Sequence, residues 1–434
     1  MSVQDKTPQM SRRGVLRAAG LAGAAAAAGG QALAQAKINP AKLEPGKPDP
    51  TITDIQDWNR FLGPGVEAAP YGKPSRFEKE TIRRNVAWLT AGTESSINFT
   101  PIHELDGIIT PNGVCFERHH GGVAEVDPAQ HRLMIHGLVD KPLVFTMDDL
   151  KRFPGRINRP YFLECAANGG MEWKGAQLNG VQFTHGMIHN VWYTGIPLKT
   201  LLNEAGVKPN GKWVLVEGAD SAAMTRSIPI EKALDDCLVT WAMNGEALRA
   251  EQGYPLRIVV PGWEGNMWVK WLRRIEIGDQ PWAQREETSK YTDLLADGRA
   301  RRHTWVMDAK SVVTNPSPQK PLKHKGPNVL SGLAWSGRGA ITRVDVSIDG
   351  GKNWQTARID GPALPLCLTR FYVDFDWNGQ ELMVQSRAMD STGYVQPTKD
   401  ALRKVRGLNS IYHNNGIQTW LVRANGETEN VEIS

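Results

Sequence analysis

The chain has 434 residues, 41% of them hydrophobic, and a formal net charge of +5 at pH 7. That length suffices for two domains with full cores, and so small a charge gives no case for binding nucleic acid or an anionic membrane surface. Four cysteines, at 115, 165, 237 and 367, form no C-x-x-C pair, which excludes a linear zinc ribbon, a thioredoxin-type motif and covalent c-type haem attachment.

Residues 1–34 read as an export address. Ser11-Arg-Arg-Gly-Val-Leu-Arg17 is a twin-arginine pattern, an Ala/Gly/Leu run follows, and Ala32-Leu33-Ala34 supplies an A-x-A cleavage site. The address carries a net +3, leaving the mature chain near +2. It predicts the bacterial periplasm, and because the twin-arginine route carries folded proteins it suggests a bound cofactor. No later stretch reaches the roughly 18 apolar residues of a spanning helix, so no membrane anchor is expected. The oxidising compartment permits a disulfide among Cys115, Cys237 and Cys367, with no pairing chosen by spacing.

Residues 35–110 read as an extended arm opened by Pro40, Pro45, Pro48 and Pro50, with one helix expected over Phe77–Leu89. A dense block of strands and short helices follows, placing one domain over 111–300. Arg132–Gly137, Lys212–Glu217 and Arg257–Val260 are expected as strands, Thr146–Arg152 and Leu198–Ala205 as helices with polar starts. A polar stretch from Gln280 to Arg302 and a Pro-rich one from Asn315 to Pro327 loosen the pattern. Residues 301–434 then read as all-β. Thr342–Asp349 alternates with period two, and Phe371, Val373 and Phe375 alternate before an Asn378-Gly379 hairpin turn. The expected class is α+β, a mixed α/β domain followed by an immunoglobulin-like β-sandwich.

The chemistry centres on Cys165. Tyr161-Phe-Leu163 delivers the thiol to a small-residue turn from Ala166 to Gly170, where the backbone can approach a bulky ligand. A thiolate is a soft ligand suited to a redox metal; a buried cysteine packed as a small hydrophobe is the other reading of the same letters. Three polar clusters share the block: Phe116-Glu-Arg-His-His120, Glu217-Gly-Ala-Asp220, and Gly253–Arg257 running through Pro261-Gly262 to Trp268-Val-Lys-Trp-Leu272. Singly, each also reads as turn caps and surface charge.

Taken in order, these segments resemble the sulfite oxidase family. Arg118-His119-His120 lies where that family has Arg-Asn-His, and Cys165 where its Cys-Ala-Gly-Asn binds molybdenum. Glu217-Gly-x-Asp220, Ser227-Ile-Pro229, Gly253-x-Pro-x-Arg257, Val260-Pro-Gly262 and Val269-Lys-Trp-Leu272 match further segments, and the resemblance spans roughly residues 100 to 430. It implies a sulfite-oxidase-type molybdopterin domain, a dimerisation sandwich, a molybdenum-molybdopterin cofactor and Cys165 as the metal ligand. It also implies Phe116, Arg118, His119, His120, Asp220, Gln252, Arg257, Trp268, Val269 and Lys270 as cofactor-binding residues. Among these, Arg257 and Lys270 would face the phosphate, and Asp220 and His120 the pterin ring.

Departures refine the expectation. The family's sulfite-binding arginine is Gly170 here, the tyrosine before Ser-Ile-Pro is missing and Met224-Thr-Arg226 fills its space, and the histidine before Gly-x-Pro is Gln252. A less cationic pocket suits a tethered substrate more than a free dianion, with Arg118 and Arg226 left as the cations to meet it. This pattern resembles the sulfane-dehydrogenase branch of thiosulfate-oxidising Sox systems. It implies a sulfur-carrier protein as substrate, a c-type cytochrome subunit as electron acceptor, and a homodimer within a heterotetramer. A sulfite dehydrogenase on the same scaffold is the alternative, and a non-catalytic periplasmic binding protein is the alternative of another class. Other signals are weaker: His185-x-x-x-His189 has two-ligand spacing without a third ligand, and Gly337-x-Gly339 runs into a strand, so it is not a dinucleotide fingerprint. Trp241, Trp263, Trp268 and Trp271 read first as core, with a channel lining as the other reading.

Overall fold

The computed structural model describes residues 71, 74–86, 96–302 and 304–433; the expected export address, the Pro-rich opening of the arm and the end of the expected Phe77–Leu89 helix lie outside them. Residues from Pro74 onward form one compact unit. The start of that expected helix is a short 3-10 turn, Arg76–Glu78, leading to a strand, Arg84–Asn85, paired antiparallel with Asn98–Phe99. Phe77 and Ile82 are both exposed, so these two side chains of the described part give a helix nothing to bury, and Arg83 instead pairs with Glu117.

Two sheets build the first domain. One is mixed, in the order Leu143–Phe145, Leu133–Gly137, Leu272–Gly278, Trp213–Gly218, Thr225–Pro229, with only the Leu133–Gly137 and Leu272–Gly278 pair parallel. Leu133 and Ile135 are fully buried while Met134 between them is exposed, the period-two pattern of a half-buried strand. The other sheet is antiparallel and joins Glu246–Ala247, Leu238–Met243, Ile188–Pro197 and Ile157–Glu164, with Arg257–Val259 also paired to Leu238–Met243. Both expected helices form: Met147–Arg152, closed by a Thr146 capping box with Asp149, and Leu198–Ala205.

The C-terminal part is a sandwich of two antiparallel sheets, four strands from Lys310 to Trp377 and five from Ile341 to Val431. The Asn378-Gly379 turn forms with Gly379 at φ +88°. Each domain has its own core, and they meet on adjacent strands: Ile188 of Ile188–Pro197 belongs to the sandwich core and Val191 to the first, and along Ile157–Glu164 Leu163 points into the first core and Phe162 into the sandwich core. Alternation therefore carries this strand between the domains and ends it at Cys165. The permitted disulfide does not form: all four cysteines are free and buried.

Candidate active site

Cys165 follows the last residue of that strand, and the Asn168 amide ties its turn together locally. Asn168 donates from Nδ2 to Glu164 Oε1 at 2.9 Å and to the His185 carbonyl at 3.1 Å, and accepts from the Met187 N–H at 3.1 Å. The Cys165 N–H itself donates to the Met187 carbonyl at 3.0 Å. Gly169 turns the chain at φ +82°, the left-handed region that glycine adopts without cost. The thiol, 6% exposed, faces a cleft of about 660 Å³. It is thus neither surface decoration nor sealed among hydrocarbon.

The cleft brings together Cys165, Arg118 and all ten residues expected at the cofactor, which come from three separated segments and from Asp220. Asp220, 6% exposed, accepts from the Met224 N–H at 3.0 Å and so closes its own turn. Gln252 donates to the Phe116 carbonyl at 3.0 Å, tying the first cluster to the third. Arg257 is buried, and donates to the Gln252 carbonyl and the Trp268 carbonyl, each at 3.1 Å, while its Nε has no partner among the described residues. A buried guanidinium N–H without a partner is costly, so this end of the cleft suits an anionic ligand.

Lys270 spends its ammonium on the Arg118 carbonyl (3.2 Å), the Glu251 carbonyl (3.0 Å) and His119 Nδ1 (2.9 Å). With Nδ1 accepting, the His119 proton sits on Nε2, which meets Glu117 Oε2 at 2.9 Å. Burial first, and the Lys270 charge second, hold His119 down to about 3. Burial, with Arg257 beside it, also drives Lys270 well below its ordinary value. Burial pushes the Cys165 thiol up, which a bound cation would reverse.

Arg226 departs from expectation. It is 1% exposed and lies outside the cleft lining, with its guanidinium bound to Glu264 Oε1 at 3.0 Å and to the Glu286 carbonyl. Glu287 Oε1 stands 3.9 Å from its Nε. Two neighbouring carboxylates outbid a solvent-facing position, so Arg226 adds no cation to the pocket and Arg118 is the arginine of the pair that lines it. Glu217 is likewise structural, held by Arg273 and Arg274.

Tyr291 was not singled out by the sequence. It follows the helix Arg285–Thr288 within the polar stretch, lines the cleft, and holds its hydroxyl 2.9 Å from His120 Nε2. Burial, then the neighbouring Cys165, raises its phenol, so the O–H donates and the ring nitrogen accepts. His189 also lines the cleft, under the Phe116 ring at 5.1 Å, with Nδ1 unpartnered; His185 does not join it, pairing with Thr184. Among the described residues no group of three or more His, Cys, Asp or Glu can hold a metal. A metal at this cleft therefore needs a ligand that brings further donors of its own, and a dithiolene pterin with a phosphate tail meets that need: thiol at one end, Arg257 at the other.

Comparison with known proteins agrees. An oxidoreductase molybdopterin-binding domain matches residues 120–286 and a Mo-co oxidoreductase dimerisation domain residues 301–420. Human mitochondrial sulfite oxidase is 30% identical over 380 residues, covering 81% of this chain and 69% of that protein. Chicken sulfite oxidase is 31% identical over 355 residues, covering 75% and 77%. The crystal structure of the sulfane dehydrogenase SoxCD from Paracoccus pantotrophus superposes with a TM-score of 0.86 at 65% identity, covering 90% of this chain and all of that one. The chain belongs to the sulfite oxidase family, the molybdopterin-dependent oxidoreductases that act on sulfur compounds. Its cofactor is molybdenum-molybdopterin. The α+β class, with a molybdopterin domain followed by a dimerisation domain, agrees with the expectation.

Proposed function

We propose that the chain is the molybdenum subunit of a periplasmic sulfane dehydrogenase. It oxidises sulfane sulfur held on a carrier protein during thiosulfate oxidation and passes the electrons to a c-type cytochrome subunit. The observation that carries this reading is the setting of Gly170. A Cβ there would stand 2.4 Å from the Ile411 carbonyl oxygen, so the position where the family places a sulfite-binding arginine has no room for any side chain. With Arg226 also withdrawn, the cleft has fewer cations than a free sulfite dianion calls for, and a sulfur chain on a peptide tether fits better. The 65% identity to a sulfane dehydrogenase supports the same branch.

In this reading Cys165 is the metal ligand. Arg257, through its unpartnered Nε–H, and backbone N–H groups near Trp268 hold the anionic tail of the cofactor beside Lys270, Asp220 and His120 hydrogen-bond its ring, and Phe116, His119, Gln252 and Val269 line the same cleft. Bound molybdenum-molybdopterin supplies the two-electron oxidation of sulfur, with water as the oxygen source. The chain's residues bind and orient: Arg118 meets the oxidised sulfur group, Tyr291 O–H donates to neutral His120 and keeps a proton beside the cleft, and Met224 and Trp268 exclude water. The twin-arginine pattern supports the periplasm, and no described helix is long and apolar enough to cross a membrane. The absence of a haem-attachment motif supports a separate cytochrome, and the dimerisation domain supports a homodimer within a heterotetramer.

Retention of Arg118 in the cleft and the identity to sulfite oxidases favour a second reading, sulfite dehydrogenase. Steady-state turnover with the cytochrome partner, comparing a persulfidated carrier protein with sulfite, separates the two. The first reading expects the higher kcat/KM with the persulfide; turnover of sulfite without turnover of the persulfide overturns it.

A further inference from the structure

The turn that carries Cys165 is held from the other domain. Glu164, the residue before the thiol, is fully buried, and its carboxylate has three donors. Asn168 is local, at 2.9 Å, but Lys310 Nζ at 3.1 Å and Trp335 Nε1 at 2.7 Å come from sandwich strands. Lys310, 2% exposed, also donates to the Asn168 carbonyl at 2.8 Å. Further along, the His413 N–H donates to the Ala166 carbonyl at 2.7 Å, and Asn414 Nδ2 to the Gly169 carbonyl at 2.8 Å. The contacts converge on residues 164–169, and nearly every one is polar and buried.

Ordinary packing between domains does not look like this. An interface serving only cohesion is most cheaply made from apolar side chains, and a buried ion pair adds little net stability because both charges lose water. What fixed, desolvated polar partners do supply is geometry: they hold a ligand-bearing segment where its own short turn would wander. We infer that the sandwich domain is a working part of the molybdenum site, with Lys310, Trp335 and Asn414 as positioning residues that set where the Cys165 sulfur stands. The inference rests on Cys165 being the metal ligand, and assigns the C-terminal domain a role besides dimerisation.

The test uses the full mature chain, with and without cofactor. In cofactor-free protein, the rate of Cys165 alkylation by iodoacetamide is followed by mass spectrometry, with Cys115, Cys237 and Cys367 as internal controls. Trp335→Phe and Asn414→Ala each remove one N–H donor to the turn without altering a charge beside the thiol; each is expected to raise the Cys165 rate about tenfold, the scale of one lost hydrogen bond, with the control cysteines unmoved. In the loaded enzyme, Trp335→Phe is expected to change the molybdenum electron-resonance line shape and lower kcat with KM unchanged. Equal acceleration at all four cysteines would mean loosened folding and overturn the inference, as would an unchanged Cys165 rate. A Cys165→Ser chain that retained its metal would instead remove the ligand reading while leaving the alkylation result standing.

Discussion

Tyr291 O–H and His120 Nε2 stand 2.9 Å apart in the cleft, although 171 positions separate them in the chain. The phenol is supported behind by Tyr412 at 5.0 Å between ring centroids and by the Arg226 guanidinium at 5.5 Å. A neutral hydroxyl so placed fixes the neutral His120 ring beside the cleft. Tyr291→Phe keeps the ring and its packing, so molybdenum content is expected to stay at the wild-type level while kcat falls about tenfold, the scale of one lost hydrogen bond that orients a cleft residue. Parallel metal analysis and steady-state kinetics check this, and a kcat within twofold of wild type would make the phenol structural.

Cys165 is the only cysteine that lines the cleft, and a serine oxygen is a harder, poorer partner for a redox metal than a thiolate. Cys165→Ser is expected to lose activity and most of its molybdenum signal, whereas Cys237→Ser, at a buried site outside the cleft lining, is expected to keep both. Metal analysis of protein exported by its native route distinguishes them.

The residues read most securely were those whose meaning is local. Asn378-Gly379 demands a tight turn whatever surrounds it, and Thr146 with Asp149 caps a helix from within four residues. The residues proposed to hold the cofactor became legible only through the order of several segments, because Phe116, Asp220, Gln252 and Lys270 meet in one cleft by folding alone. Tyr291 stayed hidden because its place depends on packing against Tyr412, from the far end of the chain. Arg226 misled for the converse reason: its letter says cation, while its burial is decided by Glu264 and Glu287, which nothing near it announces. The described part of Phe77–Leu89 is not a helix: Phe77 and Ile82 stay exposed, and Val86 alone of its apolar residues packs on the core.

Arg226 gives a stability prediction where the sequence suggested a catalytic one. Its pairing with Glu264 is buried on both sides, at 1% and 2% exposure, and deleting one partner strands the other in low dielectric. Arg226→Met is therefore expected to cost about 3 kcal/mol in denaturant unfolding, softened because Glu264 keeps His413 Nε2 at 2.9 Å. KM for the substrate is expected to rise little in the protein that does fold. A large rise in KM at unchanged stability would return Arg226 to the cleft.

The two histidines set an acid limit. Burial first, with Arg118 the next cause at His120 and Lys270 at His119, lowers both from 6.5 to about 3. Between those values the unfolded chain binds protons that the folded chain refuses, so stability falls as pH drops from 6.5 toward 3; above 6.5 both states are neutral and these groups contribute no slope. Denaturant midpoints measured across that range are expected to decline on acidification. His120→Gln removes one of several such refusals, so its decline is expected to be shallower than wild type, with His119, His103, His131, His185 and His189, all lowered by burial, accounting for part of what remains. Parallel curves for the two proteins would show that His120 takes up its proton as readily in the folded chain as in the unfolded one.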